Sequence, residues 1–368
     1  MQLGSFVTSE RRLADGIKIF QSVLPTKDED RLVVLEFEHG TMIGVFDGHY
    51  SDELAEFASE RLPRLIAEKF DPTAPDVDQV ITQIFEDFDR SLILKVTELF
   101  EPGEDWTGEH WTDPGNIFEV VGYSKKDPKF AGARLAVVGT TVLLGIIDKS
   151  KKQVWVVSLG DSDAVCGRMQ DGKLTPILMN DRHNCTDAKE VEKFLADHPG
   201  EQGLIKWNRV LGLLAITRAL GDHQFKVQSR PLASRIMMYL YPSPAIPFDE
   251  WDKNGNTTPP YLSSSPAIRR FDLLPGDMFV FASDGLRDSM NQVPETERWD
   301  ILMALVNGES RERQLGYGRV HASPEDNPAE LLIRNMLFGD DSDKMAKELA
   351  DSDRDDISVV VVDLGWTL

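Results

Sequence analysis

The sequence predicts an α+β fold in which helices pack on antiparallel sheets. Apolar runs of strand length are joined by short turns, as at 32–37 and 41–46, which only three residues separate. Helical patterns come in groups and do not alternate one by one with the strands. Because a parallel sheet needs a crossover between successive strands, these short turns favour antiparallel pairing.

The elements follow in chain order from apolar periodicity and turn residues. The first hairpin is followed by two amphipathic helices, the first capped by Ser51 and the second running from Asp76 to Leu99. The remaining predictions are strands at 134–147, 153–159 and 163–169, a helix at 186–197, a strand at 277–282, helices near 293–306, 328–337 and 343–350, and a last strand at 357–363.

Length alone suggests two domains or one large one, and we expect a single domain over 1–368 with insertions at 101–130 and 227–266. Hydrophobic residues make up 41% of the 368 residues, enough for a sizeable core, and the net charge of -22 disfavours a nucleic-acid partner because phosphates would meet like charge. No run reaches the ~20 apolar residues of a membrane helix. Without a signal peptide and with two cysteines, a cytoplasmic protein is expected.

Acidic residues stand where predicted buried strands end or begin. Asp47 follows IGVF, Asp161 follows VWVVSLG, Asp284 follows MFVFAS, and Asp355 precedes ISVVVV. A rigid strand fixes the residue at its mouth, so we expect these carboxylates to converge. Any single Asp-Gly pair, such as Asp171-Gly172, is more often a turn, but the pairs at 47 and 284 are followed by helical sequence.

Counting along the hairpins tests this convergence. If Phe37 pairs with Thr41, Asp30 faces Gly48, so Glu29 and Asp30 lie beside Asp47 and Gly48. The same count around 149–152 places 139–141 beside 160–161. If the strands at 277–282 and 357–363 pair antiparallel, Asp284 meets Asp355.

Clustered carboxylates repel unless cations neutralise them. Oxygen ligands without a Cys or His set favour hard ions, Mg²⁺ or Mn²⁺. Two such ions about 3.5–4 Å apart, bridged by a carboxylate and a water, are a common device for phosphoester hydrolysis. His49, two residues after Asp47, is a candidate to protonate the leaving oxygen, although a lone histidine is more often a surface or capping residue.

Six short segments occur together in an order that resembles the metal-dependent Ser/Thr protein phosphatases, the PPM family or protein phosphatase type 2C. The resemblance runs from about Glu29 to Asp363. The segments are VFDGH at 45–49, GTT at 139–141, SLGDSDAV at 158–165, ITRALGD at 216–222, FASDGLRD at 281–288 and RDDISVVVV at 354–362.

This resemblance implies an α-β-β-α sandwich of two antiparallel sheets flanked by helical layers, with two Mn²⁺ or Mg²⁺ ions at one end of the sheets. It implies that His49 is the general acid and that Asp222 holds a motif position with a structural role. The implied metal residues are Asp47 as the bridge, Gly48 through its carbonyl, Asp284 and Asp355 as direct ligands, Glu29 and Asp30 through water, and Asp161, Asp284 and Asp288 for a third, weaker ion.

The sequence also departs from the family pattern. Tyr50 and Ser51 follow His49 where two glycines are usual, Arg287 replaces a tryptophan, and Asp356 replaces an asparagine. A phosphate-binding arginine would fall near Pro25 and is missing, so Lys27 or Arg31 is a candidate substitute.

Three functions stay open at this stage. The first is removal of phosphate from phosphoserine or phosphothreonine of a phosphorylated protein substrate. The second is the same chemistry on a small phosphorylated metabolite, and the third is a catalytically weak regulatory module. The Glu29-Asp30-Arg31 form resembles the pyruvate dehydrogenase phosphatase branch, which adds a mitochondrial location as an alternative to the cytoplasm.

Overall fold

The computed structural model describes residues 5–97, 128–226, 258–321, 323 and 326–364. It divides into two compact units, the first made of Met1–Asp47, Val142–Asp181 and Ala267–Leu368, and the second of Gly48–Thr141 and Arg182–Pro266. Nearly all of the predicted insertion at 101–130, and the predicted insertion at 227–266 as far as residue 257, lie outside the described residues. The single domain predicted for 1–368 stays a prediction.

The described elements are numbered in chain order. The helices are α1 (Glu53–Lys69), α2 (Val77–Thr97), α3 (Pro128–Val137), α4 (Ala188–Asp197), α5 (His223–Lys226), α6 (Asp284–Asp288), α7 (Glu295–Val306), α8 (Glu312–Leu315), α9 (Pro328–Leu337) and α10 (Ser342–Ala350). The strands are β1 (Val7–Arg12), β2 (Lys18–Leu24), β3 (Arg31–Phe37), β4 (Gly40–Phe46), β5 (Gly48–His49), β6 (Gly139–Thr140), β7 (Val142–Asp148), β8 (Gln153–Leu159), β9 (Asp163–Gln170), β10 (Lys173–Leu178), β11 (Ile205–Lys206), β12 (Arg209–Val210), β13 (Leu220–Gly221), β14 (Ala267–Asp272), β15 (Met278–Ala282) and β16 (Ile357–Asp363).

The first unit contains two antiparallel sheets packed face to face. The six-stranded sheet has the order β1-β2-β16-β15-β9-β10, and the five-stranded sheet has the order β14-β8-β7-β4-β3. Ile43 and Leu143 of the second sheet share one buried core with Phe279, Phe281 and Val360 of the first. The predicted α+β class with two antiparallel sheets is therefore confirmed.

The strand β16 shows why its sequence is continuously apolar. Val360 and Val362 point into the core between the sheets, whereas Val359 and Val361 join a second core formed with residues of α6, α7 and α9. Because successive side chains of a strand alternate between its faces, a strand covered on both faces is apolar at every position.

The second unit carries a small three-stranded sheet, β13-β6-β5. In it His49 pairs with Gly139, and Gly139 pairs with Gly221. The helix α1 continues through Pro63 to Lys69 and buries Leu54, Ala58, Leu62 and Ile66.

Three predictions of local structure were wrong. The hairpin β3–β4 pairs Phe37 with Gly40, because the turn has two residues and not three. The run 134–147 is not one strand: its first residues end α3, where Ala and Leu favour a helix, and a short apolar run does not separate the two states. The cap of α1 is Asp52, although the amide of Glu53 does donate to Ser51 Oγ.

Other elements were predicted closely or not at all. The helix α9 and the strand β16 have the predicted bounds. The strands β1, β2 and β14 were not predicted. In the described part of the chain, no helix is long and apolar enough to cross a membrane.

Candidate metal centre and catalytic histidine

An aspartate stands at the end of several strands of the first unit. Asp47 follows β4, Asp30 precedes β3, Asp161 follows β8, Asp284 follows β15 and Asp355 precedes β16. Because neighbouring strands of an antiparallel sheet run in opposite directions, the end of one strand lies beside the start of the next. The fold thus gathers carboxylates at strand mouths, as the sequence predicted.

The corrected hairpin register brings the first two carboxylates closer than predicted. Arg31 pairs with Phe46, so the next pair along the hairpin sets Asp30 opposite Asp47. The predicted pairing of Asp30 with Gly48 is wrong by one residue. The predicted antiparallel pairing of β15 with β16 is confirmed. The strands β7 and β8 pair from Val142 with Leu159 onward, and the predicted position of 139–141 beside 160–161 stays a prediction.

These carboxylates perturb one another. Burial raises the pKa of Asp47 well above its usual value, and the charges of Asp30, Asp284 and Asp161 raise it further. Burial raises the pKa of Asp30 to about 7, with the charge of Asp356 adding to the effect. Burial and the charge of Asp161 likewise raise the pKa of Asp284. Each carboxylate therefore favours a proton or a nearby cation.

The donor atoms suit a hard divalent ion. Asp30 is 6% exposed, and its Oδ2 atom is buried with no hydrogen-bond partner in the described part of the chain. Carboxylate oxygens are the ligands that Mg²⁺ and Mn²⁺ prefer. Across the described residues, no three or more His, Cys, Asp or Glu side chains form a group that could hold a metal ion. The carboxylates are electrostatic neighbours and not a closed ligand set.

Asp356 organises the loop that carries Glu29 and Asp30, a role that sequence reasoning missed. Its Oδ1 accepts the amides of residues 26, 27 and 28 at 2.5, 2.8 and 3.2 Å, and its Oδ2 accepts those of Glu29 and Asp30 at 2.6 and 3.3 Å. Burial alone would raise the pKa of Asp356, but these amides hold it below the usual value. The departure from asparagine at this position thus supplies a charged anchor.

Arg287, the other departure, lies inside the acidic cluster. Its Nη1 donates to Asp163 Oδ2 at 2.7 Å and to the carbonyl oxygen of Asp161 at 2.5 Å. Its Nη2 lies 3.3 Å from Asp161 Oδ2 and 3.8 Å from Asp284 Oδ2, and its Nε lies 3.5 Å from Asp288 Oδ1. The structure therefore brings Asp161, Asp284 and Asp288 together, around a guanidinium.

The remaining predicted ligands are placed as follows. Asp355 is exposed and accepts Lys27 Nζ at 3.0 Å. Arg31 donates to the carbonyl oxygens of Asp28 and Asp30, so both candidate phosphate-binding substitutes already have partners. Gly48 belongs to the second unit, and its role as a carbonyl ligand stays a prediction.

The second unit builds a histidine–carboxylate pair. His49 Nε2 lies 2.8 Å from Asp222 Oδ2, and the Asp222 side chain is fully buried. A Cβ atom on Gly139 would lie 2.0 Å from His49 Nε2 and 2.3 Å from Asp222 Oδ2, so only glycine fits beside this pair. The partners are 173 positions apart in the chain, which explains why no local signal predicted the pair.

Tyr50, the residue after His49, stands where the family pattern has a glycine. Tyr50 has a φ of 70°, in the left-handed region that glycine adopts freely and a tyrosine does not. Its ring lies 5.4 Å from that of His49 in an edge-on arrangement. The turn after His49 therefore contains a tyrosine with a strained backbone, and the ring of this tyrosine contacts the ring of His49.

The comparisons with known proteins agree with the fold. Residues 121–293 match the family model of protein phosphatase 2C. The probable protein phosphatase 2C 36 of Oryza sativa is 25% identical over 89% of this chain and 72% of its own length. The mitochondrial pyruvate dehydrogenase (acetyl-transferring) phosphatase 1 of Bos taurus is 29% identical over 62% of this chain, which spans 48% of that relative.

Solved structures show the same fold. A phosphatase from Toxoplasma gondii matches with a TM-score of 0.55 and 15% identity over 97% of this chain and 94% of its own. The serine-threonine phosphatase 2C of Toxoplasma gondii matches with a TM-score of 0.50 and 16% identity over 97% and 98%. These likenesses support the predicted α-β-β-α sandwich.

Fold, site chemistry and relatives together define the class of metal-dependent protein serine/threonine phosphatases, which use Mn²⁺ or Mg²⁺. The chain is similar to the protein phosphatase 2C family, whose model matches residues 121–293 and whose curated members include the rice relative.

Proposed function

We propose that this chain removes phosphate from phosphoserine and phosphothreonine of proteins, using two divalent ions held at the strand ends of its first unit. The observation that carries the proposal is the group of carboxylates around Asp47, whose pKa values burial and mutual repulsion raise. Divalent ions bound there would neutralise phosphoryl oxygens and lower the pKa of a water.

Within this proposal the chain's own residues divide the work. Asp47 would hold both ions, and Asp284 and Asp355 would each bind one of them directly. Glu29 and Asp30 would act through water, on the loop that Asp356 fixes. Gly48 would add its carbonyl oxygen.

His49 would donate the proton that the leaving serine or threonine oxygen needs. Its Nε2 atom faces Asp222, so the proton for the substrate would come from Nδ1. Asp222 would act as a positioning residue, because a buried carboxylate fixes the ring orientation and stabilises the charged imidazolium. Gly139 makes room for the pair.

The first experiment measures phosphate release from a panel of phosphoserine and phosphothreonine peptides with Mn²⁺, with Mg²⁺ and with excess chelator. We expect turnover that requires the metal and vanishes with chelator. Cys166→Ser is the control, because this buried thiol has a pKa raised by burial to about 12 and is no nucleophile. Full activity in chelator, or its loss in Cys166→Ser, would contradict the proposal, as would turnover of small phosphorylated metabolites only.

The second experiment tests the role of His49 with two leaving groups. An alkoxide needs a proton, and general-acid help is worth about 10²–10⁴-fold, whereas a nitrophenolate leaves without it. His49→Ala should therefore slow phosphopeptide hydrolysis far more than nitrophenyl phosphate hydrolysis at saturating Mn²⁺. Asp222→Asn should shift the pH profile of the phosphopeptide reaction. Equal losses on both substrates would remove His49 from the chemistry.

A further inference from the structure

Arg287 is a buried cation at the meeting point of four carboxylates. It is 7% exposed, and the side chains of Asp161 and Asp163, its nearest partners, are 6% and 1% exposed. Asp284 and Asp288 complete the set at 3.8 and 3.5 Å. A guanidinium has five N–H donors in a fixed plane, so it serves several carboxylates at once.

The position of Arg287 is fixed by the backbone around it. The short helix α6 begins where the amide of Ser283 donates to the carbonyl oxygen of Ser358 at 3.0 Å. The second residue of this helix, Gly285, lies so close to the start of β16 that a Cβ atom would come within 2.0 Å of the carbonyl oxygen of Asp356. The helix is therefore docked tightly, and the guanidinium has little freedom to leave the carboxylates.

This arrangement disagrees with the third metal ion that the family resemblance implied. That ion would take its oxygens from Asp161, Asp284 and Asp288, and the guanidinium already contacts all three. A divalent ion among them would meet a fixed positive charge within a few ångströms, beside the buried side chain of Asp161, where repulsion is poorly screened. The residues present do not fit a third ion.

We propose that Arg287 is a built-in cation that replaces the third divalent ion, so that the strand ends of this chain bind two ions and not three. The inference rests on the proposed function, since it concerns the same carboxylate-rich centre. It assigns Asp161, Asp163 and Asp288 to holding Arg287, and it removes Asp161 and Asp288 from the predicted metal ligands. Asp47 and Asp30 remain the centre of the two-ion site.

The test counts bound Mn²⁺ by electron paramagnetic resonance of the free ion, with full-length wild type, Arg287→Ala and Arg287→Lys. Wild type should bind two ions. Arg287→Ala should bind one more, with an affinity at that position at least tenfold above any residual binding by wild type. Arg287→Lys keeps the positive charge and should behave like wild type.

The double variant Arg287→Ala with Asp288→Asn should lose the additional ion, because it lacks one of the uncovered carboxylates. If Arg287→Ala does not fold, Asp288→Asn alone carries the test, because its side chain is 67% exposed and its loss leaves the core intact. Asp288→Asn should leave the wild-type isotherm unchanged.

Two results would overturn the inference. One is a third ion in wild type that Asp288→Asn weakens, and the other is a folded Arg287→Ala protein that binds only two ions. Failure of the proposed function looks different: wild type would then bind no Mn²⁺ that Asp47→Asn removes, whatever residue stands at 287.

Discussion

Two groups of aspartates in the first unit share a residue type and a position at strand ends but differ in their neutralising charge. Around Asp30 and Asp47, burial and neighbouring carboxylates raise the pKa of each acid. Around Asp161 and Asp163, the guanidinium of Arg287 lies 2.7–3.3 Å from the carboxylate oxygens. The second group has a cation from the chain, whereas we propose that the first group takes its cation from solution.

An acidic cluster is therefore not by itself a metal site. What separates the two groups is a single side chain at position 287, where the family pattern has a tryptophan. The neutralising cation of the group around Asp161 and Asp163 is part of the chain. We expect the charge of the group around Asp30 and Asp47 to depend on the metal and proton concentrations around the protein. The following predictions test this division.

The largest effect is expected for Asp47→Asn. Removing the central carboxylate should lower activity by more than the 10–100-fold that a residue behind a metal ligand typically costs, and should weaken Mn²⁺ binding by calorimetry. The metal-free variant should stay folded, because one repelling charge is gone. Asp171→Asn is the control. Asp171 belongs to an Asp-Gly pair in the turn between β9 and β10, so this substitution should have no effect. An unchanged isotherm for Asp47→Asn would show that the site is elsewhere.

The next effect concerns Asp356, which anchors the loop that carries Glu29 and Asp30. Asp356→Asn would replace one accepting oxygen by an NH₂ group that faces backbone N–H donors. We expect Mn²⁺ affinity to fall by about 10–100-fold while the general fold remains, since an outer residue that orients ligands typically costs this much. Asp353→Asn, at an exposed position nearby, is the matched control. Equal affinities for both variants would contradict the anchoring role.

Asp163→Asn should give the opposite result to Asp47→Asn. It removes the negative charge of the group that accepts the 2.7 Å hydrogen bond from Arg287, and a hydrogen bond between charged groups contributes about 1.5–3 kcal/mol. We expect the free energy of unfolding in denaturant to fall by that order, with Mn²⁺ stoichiometry unchanged. A loss of bound Mn²⁺ without a loss of stability would show that Asp163 serves the metal site and does not hold Arg287.

The smallest effect is a pH dependence of the metal-free protein. The folded pKa of Asp30 is raised from 3.8 to about 7, so the folded state binds more protons than the unfolded state between these values. The melting temperature in chelator should therefore fall as the pH rises from about 4 to 7. Saturating Mn²⁺ should remove or reverse this trend, because protons and metal compete for the same oxygens. A melting temperature that rises with pH in chelator would contradict it.

The sequence predicted elements whose signal is local. The strand β16 was identified by its continuous valines. The helix α9 was predicted with its observed bounds, and in the structure the side chain of Asn327 caps it by accepting the amides of Ala329 and Glu330. The edge strand β1 was missed because its residues are all exposed and carry no apolar alternation. The hairpin register failed by one residue, because the apolar pattern does not encode the length of the turn.

The candidate site was predictable to the same extent. The strand-end aspartates stand next to apolar runs, so sequence alone singled out Asp47, Asp161, Asp284 and Asp355. The partners of His49 and Arg287 come from distant parts of the chain, and only folding brings Asp222 to the first and Asp163 to the second. The substitution at 287 was visible in the sequence, but its consequence needed the distances.

The most direct test of this division is a crystal structure of the wild-type chain soaked in Mn²⁺, with an anomalous difference map. We predict two anomalous peaks beside the carboxylate of Asp47, with Arg287 still between Asp161 and Asp288. A peak among Asp161, Asp284 and Asp288 with the guanidinium displaced, or no peak at Asp47, would contradict the account.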